Sequence, residues 1–219
     1  MKIHAVNGAA GVKLHVREYG KSTGVPILLI HGWSQSHLCW SKQYGSSLAN
    51  DARIVALDLR GHGMSDAPAE ADQYTDGNKW ADDIAAVIDQ LALEQPILVG
   101  WSYGGYIISD YVRRKGQEKI AGINFVDAAV VISPKAFGSL VGPGFLENAP
   151  GACQDDLPAE ASWYEGVGHA PFLAEPLRFN AELKRFAARA PLTVRVSFRD
   201  GTFHGRTSET EIRLPFSRS

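Results

Sequence analysis

Gly100-Trp101-Ser102-Tyr103-Gly104 places a serine between two glycines, directly behind the apolar run Pro96 to Val99 and just ahead of a helical pattern. This is the G-x-S-x-G spacing of a sharp strand-to-helix turn, which lifts a serine hydroxyl above the strand ends and exposes it for nucleophilic attack. Glycines suit the flanks because a Cβ there collides with neighbouring backbone. The turn also aims the first N–H groups of the following helix, at the positive end of its dipole, at the reacting atoms. The chemistry implied is acyl transfer, with Ser102 as nucleophile and the backbone N–H of Tyr103 as one oxyanion donor.

A serine nucleophile needs a base and a second oxyanion donor. His169 lies in Glu165-Gly166-Val167-Gly168-His169-Ala170-Pro171-Phe172, a glycine-rich loop late in the chain behind the strand-like stretch Ala161 to Tyr164. An imidazole, with an ordinary pKa of about 6.5, can take up and return a proton near neutrality. His169 is therefore the expected general base. The second donor is expected from the loop behind Val25 to Ile30 (VPILLI), where Gly32 allows close approach and the backbone N–H of Trp33 is suitably placed. His31 reads as a loop brace, and His4, His15, His37, His62 and His204 as structural or solvated.

The elements that must position these groups follow from periodicity. Lys13 to Tyr19 alternates apolar and polar, as a half-buried edge strand does. Val25 to Ile30, Arg53 to Leu57, Pro96 to Val99 and Ile123 to Val126 are apolar throughout, as central parallel strands covered on both faces are. Trp80, Ile84, Val87, Ile88 and Leu91 form one helical stripe, and Tyr106 to Arg114 and Pro176 to Ala188 read as two more helices. Strands alternating with helices give an α/β fold, a three-layer sandwich around a mostly parallel sheet.

The totals exclude several classes. With 219 residues, 45% hydrophobic and 21% charged, the chain can bury one substantial core. A net charge of −2 without like-charge blocks gives no support for nucleic-acid binding or a membrane-surface patch. No apolar run approaches the roughly 20 residues that span a bilayer, and no signal-peptide core follows Met1, so a cytoplasmic location is expected. Cys39 and Cys153 read as free thiols rather than a disulfide framework. The sequence sets no oligomeric state.

HGWSQS at 31–36, LDLRGHGMSD at 57–66, GWSYGG at 100–105 and EGVGHAPF at 165–172 together resemble the α/β-hydrolase superfamily, in its serine-esterase-like branch, over roughly residues 10 to 189. The resemblance implies a Ser-His-acid hydrolase with Ser102 as nucleophile, His169 as base, and Trp33 and Tyr103 forming the oxyanion hole. It implies a small-molecule ester substrate and no metal or organic cofactor. His62 and Asp66 are then structural. The serine disfavours the related haloalkane dehalogenases and epoxide hydrolases, which carry aspartate at that turn.

Two segments depart from the family. The usual acid-bearing strand is not recognisable between Val131 and Ser162, and residues 136–158 read as a remnant of the family's helical cap. The expectation is an α/β-hydrolase core over 1–189 with a shortened sheet and a reduced cap, as after an internal deletion. Loss of a strand would move His169 by about 4.8 Å, one inter-strand spacing. The candidate acids are Asp127, directly behind Ile123 to Val126, and Asp155 or Asp156; the further alternative is no acid at all. Residues 190–219 extend beyond the usual family end, as a hairpin or a disordered tail.

Three functions follow: cleavage of carboxylic esters of small or medium acids through an acyl-enzyme, cofactor-free perhydrolase or haloperoxidase-type activity, or a catalytically impaired hydrolase fold. Trp33, Trp40, Trp101 and Tyr103 suggest an apolar acyl pocket under an open cleft.

Overall fold

Strand β3 (Val25–Ile30) is apolar at each position because both of its faces are covered. Leu28 and Ile30 point into one buried cluster, and Ile27 and Leu29 into another. The same alternation separates Val55 and Leu57 from Ile54 and Ala56 in β4 (Ala52–Leu57), and Leu98 from Ile97 and Val99 in β5 (Ile97–Trp101). A computed structural model of the protein describes residues 1–128 and 169–189, together with the backbone of strands at 195–199, 202–206 and 211–213. The cap-like segment 136–158, the stretch Ala161 to Tyr164, Cys153, Asp155 and Asp156 lie outside the described residues.

The main sheet has six strands in the order β1-β2-β4-β3-β5-β6, with β1 at Lys2–Asn7, β2 at Lys13–Gly20 and β6 at Gly122–Val126. β1 pairs antiparallel with β2, and β2 antiparallel with β4; β4, β3, β5 and β6 run parallel. The alternation of Lys13 to Tyr19 suggested an edge strand, yet β2 is interior. β1 takes the edge, and its single buried residue, Val6, explains why it left little apolar signal.

Helices make the outer layers. α1 (Ser41–Tyr44) and α2 (Asp72–Thr75) are single turns. α3 (Gly77–Gln90) buries Trp80, Ile84, Val87 and Ile88, the stripe read from the sequence, and starts at Asp76, whose side chain accepts the Asn78 N–H at 2.8 Å. α4 (Tyr103–Lys115) buries Ile107, Ile108 and Tyr111 against the same sheet face. α5 (Pro171–Ala174) and α6 (Pro176–Arg189) cover the opposite face with Phe172, Phe179, Leu183 and Ala187, packed with Trp40. The result is the three-layer sandwich expected from alternating strands and helices.

In the tail, β7 (Arg195–Arg199), β8 (Thr202–Arg206) and β9 (Glu211–Arg213) form a separate three-stranded antiparallel sheet.

Candidate active site

Parallel pairing brings three strand ends together. Ile30 of β3 lies opposite Gly100 of β5, and Trp101 opposite Val126 of β6. The residues that follow, in the loops after β3, β5 and β6, therefore share one edge of the sheet. These are Trp33, Ser102 and Asp127.

Ser102 occupies φ 53°, ψ −118°, a conformation that L-residues rarely adopt. Surrounding contacts hold it there. Its N–H donates to Val126 O at 3.1 Å, and its carbonyl accepts the Gly105 N–H at 3.0 Å. The flanking glycines are sterically required: a Cβ on Gly104 would lie 2.4 Å from Ile30 O, and one on Gly100 would lie 2.8 Å from Gly104 O. Ser102 thereby caps α4, where the N–H groups ahead of Gly105 have no preceding helical carbonyl to bond. Tyr103 supplies the first of these. Its phenol packs edge-on against Trp33 and Trp80; burial, with Tyr106 and Asp110 nearby, pushes the phenol pKa upward.

Asp127 follows β6 with φ 42°, and its Oδ2 accepts a hydrogen bond from Nδ1 of His169. A carboxylate can only accept, so the contact fixes the proton on Nδ1 and leaves Nε2 as the basic nitrogen. Both side chains remain open to solvent, at 53% for His169 and 43% for Asp127. Trp101 Nε1–H donates to the His169 carbonyl at 2.7 Å. The sheet edge therefore gathers the 169 loop, Asp127 and Ser102.

The loop after β3 is braced. His31 is fully buried; its Nδ1–H donates to Gly32 O at 2.7 Å and its Nε2 accepts the Leu59 N–H at 3.1 Å. Burial lowers its pKa to about 4, which keeps the ring neutral. A Cβ on Gly32 would lie 3.1 Å from Ser102 Cβ, so the loop passes close to Ser102. Trp33 is 61% exposed and stands edge-on to Tyr103 and His62. Of the other tryptophans read as acyl-pocket residues, Trp40 and Trp101 belong to the core beneath the site rather than to an open cleft.

His62 donates from Nδ1 to Arg60 O at 2.9 Å, and Asp66 accepts the Lys13 N–H at 2.8 Å. Both act as loop braces.

Sequence reasoning passed over Asp58, which is the polar hub of the adjoining loops. Its carboxylate, fully buried, accepts the His37 N–H at 2.6 Å, the Met64 N–H at 3.0 Å, His37 Nδ1–H at 2.9 Å and His15 Nδ1–H at 2.9 Å. Burial opposes its charge, but the His37 and Met64 amides and then the His37 ring outweigh it and hold the carboxyl below its usual range. His15, His37 and Asp58 offer donor atoms within 4.8 Å of one another, a spacing that a metal ion could use. Four hydrogen-bond donors already fill the carboxylate, so the group works as a brace. The available signal was Gly63, where a Cβ would lie 2.4 Å from the Asp58 carboxylate.

Residues 25–193 match the α/β hydrolase fold family, and the chain belongs to that family. A solved aryl esterase candidate from Burkholderia cenocepacia is 30% identical with a TM-score of 0.70, covering 86% of this chain and 99% of that one. Esterase RhEst1 from Rhodococcus sp. ECU1013 is 42% identical with a TM-score of 0.60, over 65% of this chain and 51% of its own. A bifunctional esterase/perhydrolase from Acinetobacter calcoaceticus is 33% identical over 54% of this chain. The chain spans about half the length, or less, of the curated relatives it matches: 42% of the Acinetobacter protein and 49% of the AB hydrolase superfamily protein YisY of Bacillus subtilis (strain 168). Haloperoxidases and epoxide hydrolases also occur among its relatives. Among the described residues no helix is long and apolar enough to cross a membrane.

Proposed function

We propose that the protein is a serine esterase that cleaves carboxylic esters of small or medium acids, with Ser102, His169 and Asp127 as its catalytic triad. The observation that carries this reading is the Asp127–His169 hydrogen bond at the same sheet edge as the strained Ser102 turn. It favours Asp127, after β6, among the alternatives Asp127, Asp155, Asp156 and no acid.

In this mechanism His169 Nε2 takes the Ser102 proton as Oγ attacks the ester carbonyl carbon. Asp127 holds the tautomer and stabilises the imidazolium that forms. The tetrahedral oxyanion accepts hydrogen bonds from the Trp33 and Tyr103 N–H groups, and removing such a donor typically costs about 10²–10³ in kcat. Collapse breaks the ester C–O bond, and His169 returns its proton to the departing alkoxide. Water then attacks the acyl-enzyme by the same route and releases the acid.

Burst kinetics with p-nitrophenyl acetate and butyrate test the assignment. A pre-steady-state burst of p-nitrophenol is expected from the parent and none from Ser102→Ala; an equal burst from both would refute it. Similarity to an esterase/perhydrolase favours a second reading, in which hydrogen peroxide replaces water and the acyl-enzyme yields a peracid. Halogenation of monochlorodimedone with acetate, peroxide and bromide reads that activity.

A further inference from the structure

Resting on the triad reading above, we propose that Trp101 is a positioning residue that holds the His169 loop in register with Ser102. His169 is more than half exposed, so packing does little to fix its ring. Its side chain is gripped at Nδ1 by Asp127, and its backbone at the carbonyl by the Trp101 indole N–H, 2.7 Å away. Two anchors, one on each end of the residue, define where Nε2 points; with the backbone anchor gone, the imidazole can swing about the Asp127 contact.

The anchor itself is rigid. Trp101 is the residue immediately before Ser102, on the last position of β5, so successive side chains leave the strand on opposite faces. The serine rises toward the sheet edge while the indole turns into the lower core, where it is only 8% exposed. There it meets Phe172 edge-on at 5.0 Å, and Phe172 in turn packs against Trp40 at 4.3 Å. Its other flank lies beneath the β3 loop, where a Cβ on Gly32 would come 3.3 Å from the indole Cε3. The His169 ring lies 5.5 Å from the indole at a 46° tilt. One side chain thus ties the base loop directly to the nucleophile's own strand. Misplacement of a reacting group by about 1 Å can cost about 10²-fold in rate.

The test is Trp101→Phe, which keeps an aromatic ring in the core but removes the N–H donor together with part of the indole's volume, in the parent and in a His169→Ala background that separates the two effects. In the parent background kcat per folded molecule for p-nitrophenyl butyrate is expected to fall about tenfold, the worth of one hydrogen bond, with KM nearly unchanged and the melting temperature lowered by the lost core volume. In the His169→Ala background, with enzyme in excess to read residual turnover, Trp101→Phe should change nothing, because its effect passes through His169. The far-downfield imidazole N–H proton resonance of the Asp127–His169 contact should broaden or vanish in Trp101→Phe while amide signals elsewhere persist. Parental kcat in Trp101→Phe, an equal loss in both backgrounds, or an unaltered resonance overturns the proposal and leaves the triad standing. A His169→Ala variant as active as the parent overturns the triad, and this inference with it.

Discussion

Asp58 and Asp127 are each the first residue after a strand of the same sheet, β4 and β6, and each accepts a hydrogen bond from a histidine Nδ1. Their surroundings divide them. Asp58 is fully buried and filled by two imidazoles and two backbone amides. Asp127 is 43% exposed and, among the described residues, holds a single imidazole, itself half open to solvent. A carboxylate whose lone pairs are all used by fixed donors can only brace; one that grips a single exposed imidazole leaves a basic nitrogen free to move a proton. Residue type and position relative to a strand therefore do not separate the two aspartates; saturation and exposure do.

That contrast can be broken by substitution. The largest expected effect is at the proposed nucleophile: Ser102→Ala should lower kcat by about 10⁵–10⁶, the scale of removing a triad serine, with an unchanged circular dichroism spectrum. Next come the two aspartates. Asp127→Asn should reduce kcat by about 10⁴ through the wrong imidazole tautomer with little change in melting temperature. Asp58→Asn should do the reverse. It should lower stability by about 3 kcal/mol, the cost of unpairing a buried charge network, or about 6–12 °C in Tm for a chain of this size, while kcat per folded molecule stays near the parent's. A large loss of stability in Asp127→Asn, or of kcat in Asp58→Asn, would reverse the assignment of the two sites.

The brace carries a pH signature. The folded pKa of His31 is about 4 against an ordinary 6.5, so the unfolded chain binds its proton more readily. Its contribution is fully present above pH 6.5 and is lost as pH falls toward 4, by about 3 kcal/mol in all. Urea unfolding of the parent and of His31→Gln across this range should show a shallower dependence in the variant, whatever its absolute stability; parallel curves would contradict a buried neutral ring. The smallest effect concerns Cys39, which burial and the nearby Asp58 charge raise to about 12. Iodoacetamide at pH 8 should leave the Cys39 peptide unmodified in the folded protein and alkylate it in urea, as read by mass spectrometry.

The strands that are apolar on both faces were legible in the sequence to within a residue or two, because burial on two sides leaves no ambiguity of period. β1 was not, since an edge strand with one buried residue looks like any polar segment. Ser102 and His169 could be named as candidates from glycine spacing and chain order, and the fold places the Ser102 turn and the 169 loop at one end of the sheet. Asp127 could be named only among alternatives, because its contact with His169 depends on tertiary pairing that the sequence does not show. Asp58 and Trp101 escaped for the same reason: their partners, His37 and His169, lie 21 and 68 residues away in sequence.

The most direct test of the account is reaction with a fluorophosphonate probe, followed by peptide mapping of the parent, His169→Ala and Asp127→Asn proteins. A single adduct on Ser102 that forms rapidly in the parent and far more slowly in both variants is the expected result. No adduct, an adduct on another residue, or equal labelling rates in all three proteins would contradict it.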